Sequence, residues 1–211
     1  MLPTDYARAR RVLARRDPVI RALMQRHGDC GLASAQRTDP FHALIHAIIA
    51  QQLSTKAAAT IESRFSALFA GRPTPAAVAG APDDRLRSVG ISPQKLTYIR
   101  DLCARVLDGS LGLDTLEALA DDEVIAALTS VKGIGRWTAD MFLMFRLHRP
   151  DVLPVGDLGI VKAVQRAYKL RSLPSPKRLT RIGETWRPYR SVACWYLWES
   201  LDAPPLTSTR A

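Results

Sequence analysis

Cysteine, acidic residues and long apolar runs are what this 211-residue chain has little of. Its three cysteines, Cys30, Cys103 and Cys194, are far apart and odd in number, so they define no disulfide framework and suit a reduced compartment. With no Cys-x-x-Cys pair, neither a zinc site nor an iron–sulfur cluster is indicated. No apolar stretch reaches membrane-spanning length, and the first residues do not have the pattern of a secretory signal. The expectation is a cytoplasmic protein without a membrane partner. Alternating strand patterns and two-residue hairpin signals are missing too, which predicts an all-α fold. Acidic residues number 20 against 30 Lys and Arg, giving a net charge of +10. The imbalance is local: residues 131–190 hold 13 Lys and Arg and only four Asp and Glu. Such a segment favours a polyanionic partner over an acidic or neutral one.

Hydrophobic residues make up 47% of the chain, an ordinary share for a globular fold. Six Xaa-Pro pairs read as helix starts: Asp17-Pro18, Asp39-Pro40, Thr74-Pro75, Ala81-Pro82, Ser92-Pro93 and Ser175-Pro176. In five of them a residue able to cap precedes a proline at the first helical position. Between them, apolar residues recur at helical spacing. Phe41, Leu44, Ile45, Ile48 and Ile49 form one face. Ile61, Phe65, Leu68 and Phe69 form another, and Leu96, Ile99, Leu102, Val106 and Leu107 a third. Ten or more short helices are expected, with a break near Arg149-Pro150 and a frayed tail from Pro204 to Ala211.

The most informative stretch is Leu128-Thr129-Ser130-Val131-Lys132-Gly133-Ile134-Gly135-Arg136-Trp137-Thr138-Ala139. An apolar helix runs into a Gly-x-Gly turn and a second helix leaves it. Gly133 and Gly135 permit positive φ and close backbone approach, and the free amides of the following helix face the turn. Lys132 and Arg136 add charge and Thr138 steadies the turn, so the hairpin reads as a phosphate cradle. The plainer reading is an αα-hairpin whose glycines only permit the bend. Further on, Leu153-Pro154-Val155-Gly156-Asp157-Leu158 places one carboxylate where a third helix starts, either as a simple N-cap or as a reacting group.

Four motifs in order resemble the helix-hairpin-helix DNA glycosylase superfamily, and within it the alkylbase glycosylases of the AlkA (3-methyladenine glycosylase II) type. They are Ile48-Ile49-Ala50-Gln51-Gln52-Leu53-Ser54, the hairpin through Ala139, Leu153 to Gly159, and Trp186-Arg187-Pro188-Tyr189-Arg190-Ser191. The resemblance spans most of residues 36–200. It implies two helical lobes around a cleft: residues 36–150 with the wedge and hairpin, and residues 1–35 plus 151–211 carrying the acid. The N-terminal α/β domain of bacterial relatives finds no counterpart in it.

What the resemblance implies for function is specific. Asp157 acts on the sugar of a flipped nucleotide, and Lys132, Gly133, Ile134, Gly135, Arg136 and Thr138 hold the DNA backbone. Gln52 or Leu53 wedges into the gap left by the base. Trp137, Met141, Leu158 and Trp198 line the base pocket. The backbone carbonyls of Thr129, Val131 and Ile134 hold a structural Na⁺ or K⁺, and no cofactor is required. The partner is double-stranded DNA with alkylated bases (3-methyladenine and 7-methylguanine), bound by a monomer that in a bacterium would sit with the nucleoid. Bifunctional relatives carry a lysine where Trp137 stands, so lyase activity is not expected. Met141 and Leu158 replace the tyrosines of bacterial relatives, which implies a more open pocket and a range extending to 1-methyladenine-type lesions. Two alternatives are a glycosylase for another damaged base and a non-catalytic DNA-binding module.

Other clusters carry less. His42 and His46 are four apart, but no third metal ligand is suggested, so one is expected to be packed and the other open. Arg8, Arg10, Arg11, Arg15 and Arg16 read as a solvated face. Of Trp186, Trp195 and Trp198, at least one should be core. Tyr189 and Arg190 are expected to brace the lobes or touch DNA. Asp151 and Glu184 are available carboxylates with no evident role.

Overall fold

The computed structural model describes residues 3–33 and 39–202. The expected lobe start at residue 36 and the tail from Pro204 fall outside that range. Among the described residues there are twelve α-helices and no strand. They are α1 (Pro3–Arg16), α2 (Pro18–His27), α3 (Pro40–Ala50), α4 (Thr55–Ala67), α5 (Pro75–Gly80), α6 (Asp83–Ser88), α7 (Pro93–Leu107), α8 (Asp121–Thr129), α9 (Arg136–Met141), α10 (Leu158–Ala167), α11 (Pro176–Gly183) and α12 (Arg190–Asp202). Short 3₁₀ turns lie between several of them, and one π-helical turn, Phe142–Arg146, continues α9.

The proline-marked starts show how local chemistry sets these boundaries. Asp17 accepts from the Val19 and Ile20 amides, Asp39 from His42, Thr74 from Ala77, Ser92 from Lys95 and Ser175 from Arg178. Each bond satisfies an amide that the first helical turn leaves without a partner. Pro82 differs: it is itself the N-cap of α6, which starts at Asp83 without a side-chain cap.

The chain forms two compact units, Met1–Gln36 with Leu143–Ala211, and Arg37–Phe142. In the first, α12 packs against α1, α2 and α10. Val192, Ala193, Cys194, Tyr196 and Leu197 are all fully buried there, so α12 is enclosed nearly all round. A buried polar knot ties this unit. Asp17 Oδ2 accepts from Tyr168 Oη (2.5 Å) and Trp186 Nε1 (2.9 Å), joining the start of α2 to residues 151 and 169 positions later. Trp186 is therefore core, while Trp195 is only half-buried and packs close against Gly31.

In the second unit α7 packs on α3, α5 and α6, α3 on α4, and α8 on α9. The predicted face of α3 is buried throughout, as are Leu96, Ile99 and Leu102 of α7. Leu107 departs from its predicted face and is 54% exposed. It ends α7, where no further turn of helix covers it. On α4, only Phe65 of the predicted face is fully buried, and Ile61, Leu68 and Phe69 are partly covered.

Candidate nucleic-acid interface and active site

The hairpin occupies the second unit: α8, the turn Ser130–Gly135, and α9. Its apolar residues Leu128, Val131, Ile134 and Ala139 are buried and act as the hinge's core. Lys132, Gly133, Gly135, Arg136 and Trp137 are exposed, and Thr138 is buried beneath them. Gly133 sits at φ +79°, where a side chain is strained, and a Cβ there would collide with the Tyr98 ring. Gly135 begins α9 and offers no capping side chain. Among the described residues, neither the Gly133 nor the Gly135 amide finds an acceptor. Two unspent N–H groups on an exposed, lysine-flanked turn are what an anion needs.

The turn is held from below. Lys132 N donates to Asp101 Oδ2 (2.9 Å), which also accepts from Arg105 Nε (2.9 Å). Burial pushes the Asp101 carboxyl up, but the Lys132 amide and the Arg105 guanidinium outweigh it and hold it below the usual carboxylate range. Asp140 behaves oppositely. Its burial outweighs the Arg136 guanidinium, 2.9 Å away, and raises its pKa. Arg136 is thus engaged by Asp140, while Lys132 Nζ stands 3.9 Å from Asp101 with its side chain largely in solvent.

Between α3 and α4 the chain turns through Gln51, Gln52, Leu53 and Ser54. Ser54 caps α4, as a polar turn requires. The turn is also strained, with Gln52 at φ +57° although it is not glycine, and Gln52 and Leu53 both face solvent. Beside it, both His42 and His46 flank Glu62 of α4, at 3.3 and 2.6 Å. His42 is the more packed of the two, half-buried with its Nε2 shielded from solvent, and His46 is exposed, in line with the expected division. The i, i+4 spacing points both rings at the neighbouring helix, and the carboxylate there draws them. Among the described residues no His, Cys, Asp and Glu cluster suits a metal ion.

Asp157 lies in the first unit, buried to 9% exposure at the start of α10. Its Oδ1 accepts from the Ile160 amide (2.7 Å) and from Trp198 Nε1 of α12 (2.9 Å). Gly159 makes room for this. A Cβ there would lie 2.9 Å from Asp157 Oδ1 and 3.2 Å from the Trp198 indole. Trp198 in turn stacks on Phe145 of the π-helical turn, with centroids 5.9 Å apart. Phe145 is 40% exposed and Leu158 57%. Gly159 and Phe145 were not among the predicted site residues. Gly159, two residues after Asp157, was visible in sequence, but the Trp198 partner that makes it necessary is 39 positions away.

Two other carboxylates of this unit are engaged by arginines. Asp151 receives Arg190 Nε (2.7 Å) and Arg187 Nη1 (2.9 Å), and Glu184 receives Arg187 Nε (3.0 Å). Arg190 is thereby a brace within the first unit. Of the N-terminal arginines, Arg8, Arg11, Arg15 and Arg16 are exposed and Arg10 pairs with Asp29, as a solvated face would be. The predicted site residues thus divide: Asp157, Leu158 and Trp198 share one unit, while Gln52, Leu53, Trp137, Met141 and the hairpin share the other.

Known proteins carry the same layout. Residues 45–188 match the family model of the HhH-GPD superfamily base excision DNA repair proteins. DNA-3-methyladenine glycosylase 1 of Schizosaccharomyces pombe is 33% identical over 170 residues, 79% of this chain and 75% of that one. A crystal structure of a Bacillus halodurans DNA-3-methyladenine glycosidase superposes with a TM-score of 0.81 at 37% identity, over 90% of this chain and 87% of the other. The S. pombe enzyme Mag1, solved in complex with abasic DNA, gives 0.82 at 30% identity, over 95% of this chain and all of that one. Because the match takes in the Gln51–Ser54 turn, the hairpin and Asp157 in a single run, this chain belongs to the HhH-GPD superfamily of base excision DNA repair proteins.

Proposed function

We propose that this chain is a DNA glycosylase that removes alkylated bases from duplex DNA by hydrolysing the N-glycosidic bond. The observation that carries it is Asp157, a buried carboxylate held on one oxygen by the Ile160 amide and the Trp198 indole. The relatives named for 3-methyladenine support the substrate class.

A base inside a duplex must first leave the stack. The exposed amides of Gly133 and Gly135 take a phosphate, with Lys132 adding charge. Gln52 or Leu53 fills the gap in the stack. As the C1′–N bond lengthens, the bonding pair leaves with the base and positive charge grows on the sugar. A fixed anion lowers the energy of that state, and the same carboxylate can orient or deprotonate the attacking water. An alkylated purine is already cationic, so it departs without a second carboxyl as general acid. Asp151 and Glu184, both engaged by arginines, fit that economy. The aromatic face of Trp198, whose indole N–H meets Asp157, attracts a cationic base more than a neutral one. Leu158, next to Asp157 and largely exposed, leaves that side of the site permissive, which extends the range to 1-methyladenine-type lesions.

Trp137 stands where a lyase would carry its lysine, so the product is an intact abasic site. A monovalent cation would sit on the carbonyls of Thr129, Val131 and Ile134. Those of Thr129 and Ile134 accept no hydrogen bond among the described residues, and such oxygens suit a hard ion. When bound, its positive charge would add to the hairpin's attraction for a phosphate.

Incubation with methylated duplex DNA should release methylated purines and leave alkali-labile sites, with no adduct trapped by borohydride. Absence of base release across a lesion panel would remove the glycosylase reading. A borohydride-trapped adduct would remove the monofunctional one.

A further inference from the structure

The turn at Gln51–Ser54 and the glycine hairpin are 82 positions apart in sequence, yet one side chain joins them: Gln51 Nε2 donates to the Gly133 carbonyl at 2.8 Å. The Gly133–Ile134 peptide is pinned at its other end as well, because Ile134 N donates to Val131 O at 3.1 Å. One face of α7 spans the same two features. Lys95 Nζ donates to the Ile49 carbonyl at 2.6 Å, in the last turn of α3 just before the wedge turn. One turn further along α7, the Tyr98 ring fills the space over Gly133, its hydroxyl held by Gln94 Nε2 at 2.6 Å. Another turn on, Asp101 takes the Lys132 amide. All these residues lie in the same compact unit.

We propose that Gln51 is a positioning residue that, with Lys95, Tyr98 and Asp101 of α7, locks the wedge turn to the phosphate-gripping hairpin at one fixed spacing. This rests on the roles proposed above for the turn and the hairpin. The physical need is clear. Pushing a side chain into the base stack costs unstacking energy, and the protein supplies it only if the wedge cannot retreat while the backbone is held. A hairpin that grips phosphate on a wedge free to slide would bind DNA without opening it. Misplacement by about 1 Å is enough to cost on the order of a hundredfold in a positioned reaction. Gln51 takes no direct part in either contact. It spends its donor on the hairpin's carbonyl, while the Gly133 amide, on the other side of that residue, has no acceptor among the described residues.

Gln51→Met keeps the length of the side chain and removes the donor, and Gln51→Lys returns a donor of similar reach. Three quantities are measured on the full chain: affinity for undamaged duplex, affinity for abasic-site duplex with a neighbouring 2-aminopurine as the unstacking probe, and excision of 3-methyladenine from matched duplex. Gln51→Met should hold undamaged duplex within about threefold of wild type, lose about tenfold in kcat with little change in KM, and lose most of the 2-aminopurine signal. Gln51→Lys should recover both. Wild-type kcat and signal in Gln51→Met overturn the proposal. So does a loss of undamaged-duplex binding equal to the loss in excision, which would make Gln51 a support of the hairpin alone. If the wild-type chain itself releases no base, the glycosylase reading fails. The lock is then judged on the abasic-to-undamaged affinity ratio, which Gln51→Met must lower for it to stand.

Discussion

The two units hold their functional atoms in opposite ways. In the function proposed above, the working groups of Arg37–Phe142 are backbone amides at Gly133 and Gly135, shaped by a local run of sequence and propped from α7. In the other unit the proposed working group is one side chain, Asp157, held on Oδ1 by the distant Trp198 indole. Backbone N–H groups are present at every residue but proline, so the hairpin depends on conformation. A carboxylate is chemically specific, so the acid depends on being kept in place. Mutations should therefore separate grip from chemistry.

The largest separation is expected from Asp157→Asn. The amide keeps the size and an oxygen to accept from Ile160, but it brings no negative charge to the sugar. Excision should fall on the order of 10²–10³-fold or more in kcat, since preorganised electrostatic groups are worth that much, while duplex affinity stays within a few-fold. Single-turnover base release alongside a binding titration tests it, and an active Asn variant would leave Asp157 as no more than a helix cap. The reverse pattern belongs to Gly133→Ala. Left-handed φ costs a residue with a side chain about 1–3 kcal/mol, and the Cβ would also displace Tyr98. Affinity for any duplex should drop by about tenfold or more, and single-turnover excision at saturating enzyme should recover much of its rate. A variant that binds normally but cannot excise would contradict the division between the units.

How far each unit could be read from sequence follows from the same contrast. The hairpin was legible because glycine spacing, flanking charge and apolar anchors all fall within twelve residues. So were five helix starts, since a capping side chain acts three residues away at most. The all-α fold followed from helical periodicity. The supports were not legible. Trp198 meets Asp157 across 41 positions, Asp101 meets Lys132 across 31, and Glu62 arrives between two histidines from the next helix. Nothing local marks such pairs, because tertiary packing alone decides which polar groups meet. Leu107 shows the limit of periodicity: its spacing is right, but the helix end leaves it uncovered.

Trp198→Phe tests the tertiary support of the acid at smaller cost. Phenylalanine retains a ring to stack on Phe145 but has no N–H for Asp157. A hydrogen bond to a charged group contributes about 1.5–3 kcal/mol, part of it already present in the ground state. A fall in kcat of about tenfold is expected, with duplex affinity unchanged. If kcat holds and only the preference for cationic over neutral bases changes, Trp198 serves the base pocket and not the acid.

The smallest effect is expected beneath the hairpin, where Asp101→Asn removes a charge and leaves the fold intact. Asparagine can still accept the Lys132 amide through its oxygen, so the turn should keep its shape and duplex affinity should change less than threefold. What is lost is the attraction to Arg105 and, at longer range, to Lys132. The folded-state pKa of Asp101 lies below the usual value, so the ionised form is favoured by folding. That contribution is fully present above the unfolded carboxylate pKa of about 3.9 and disappears as pH falls through the lower folded value. Its side chain is only 15% exposed, yet its partner Arg105 is a third exposed, which keeps the effect near 1 kcal/mol. Wild type and variant should therefore differ in thermal midpoint by a few degrees at pH 7 and converge once the pH has fallen below the lowered folded-state pKa of Asp101, because there both carry a neutral group. A gap that stays constant down to strong acid would mean Asp101 supports the hairpin by shape alone. In that case, the hairpin unit would depend on no charge of its own, and the contrast with the Asp157 unit would be sharper still.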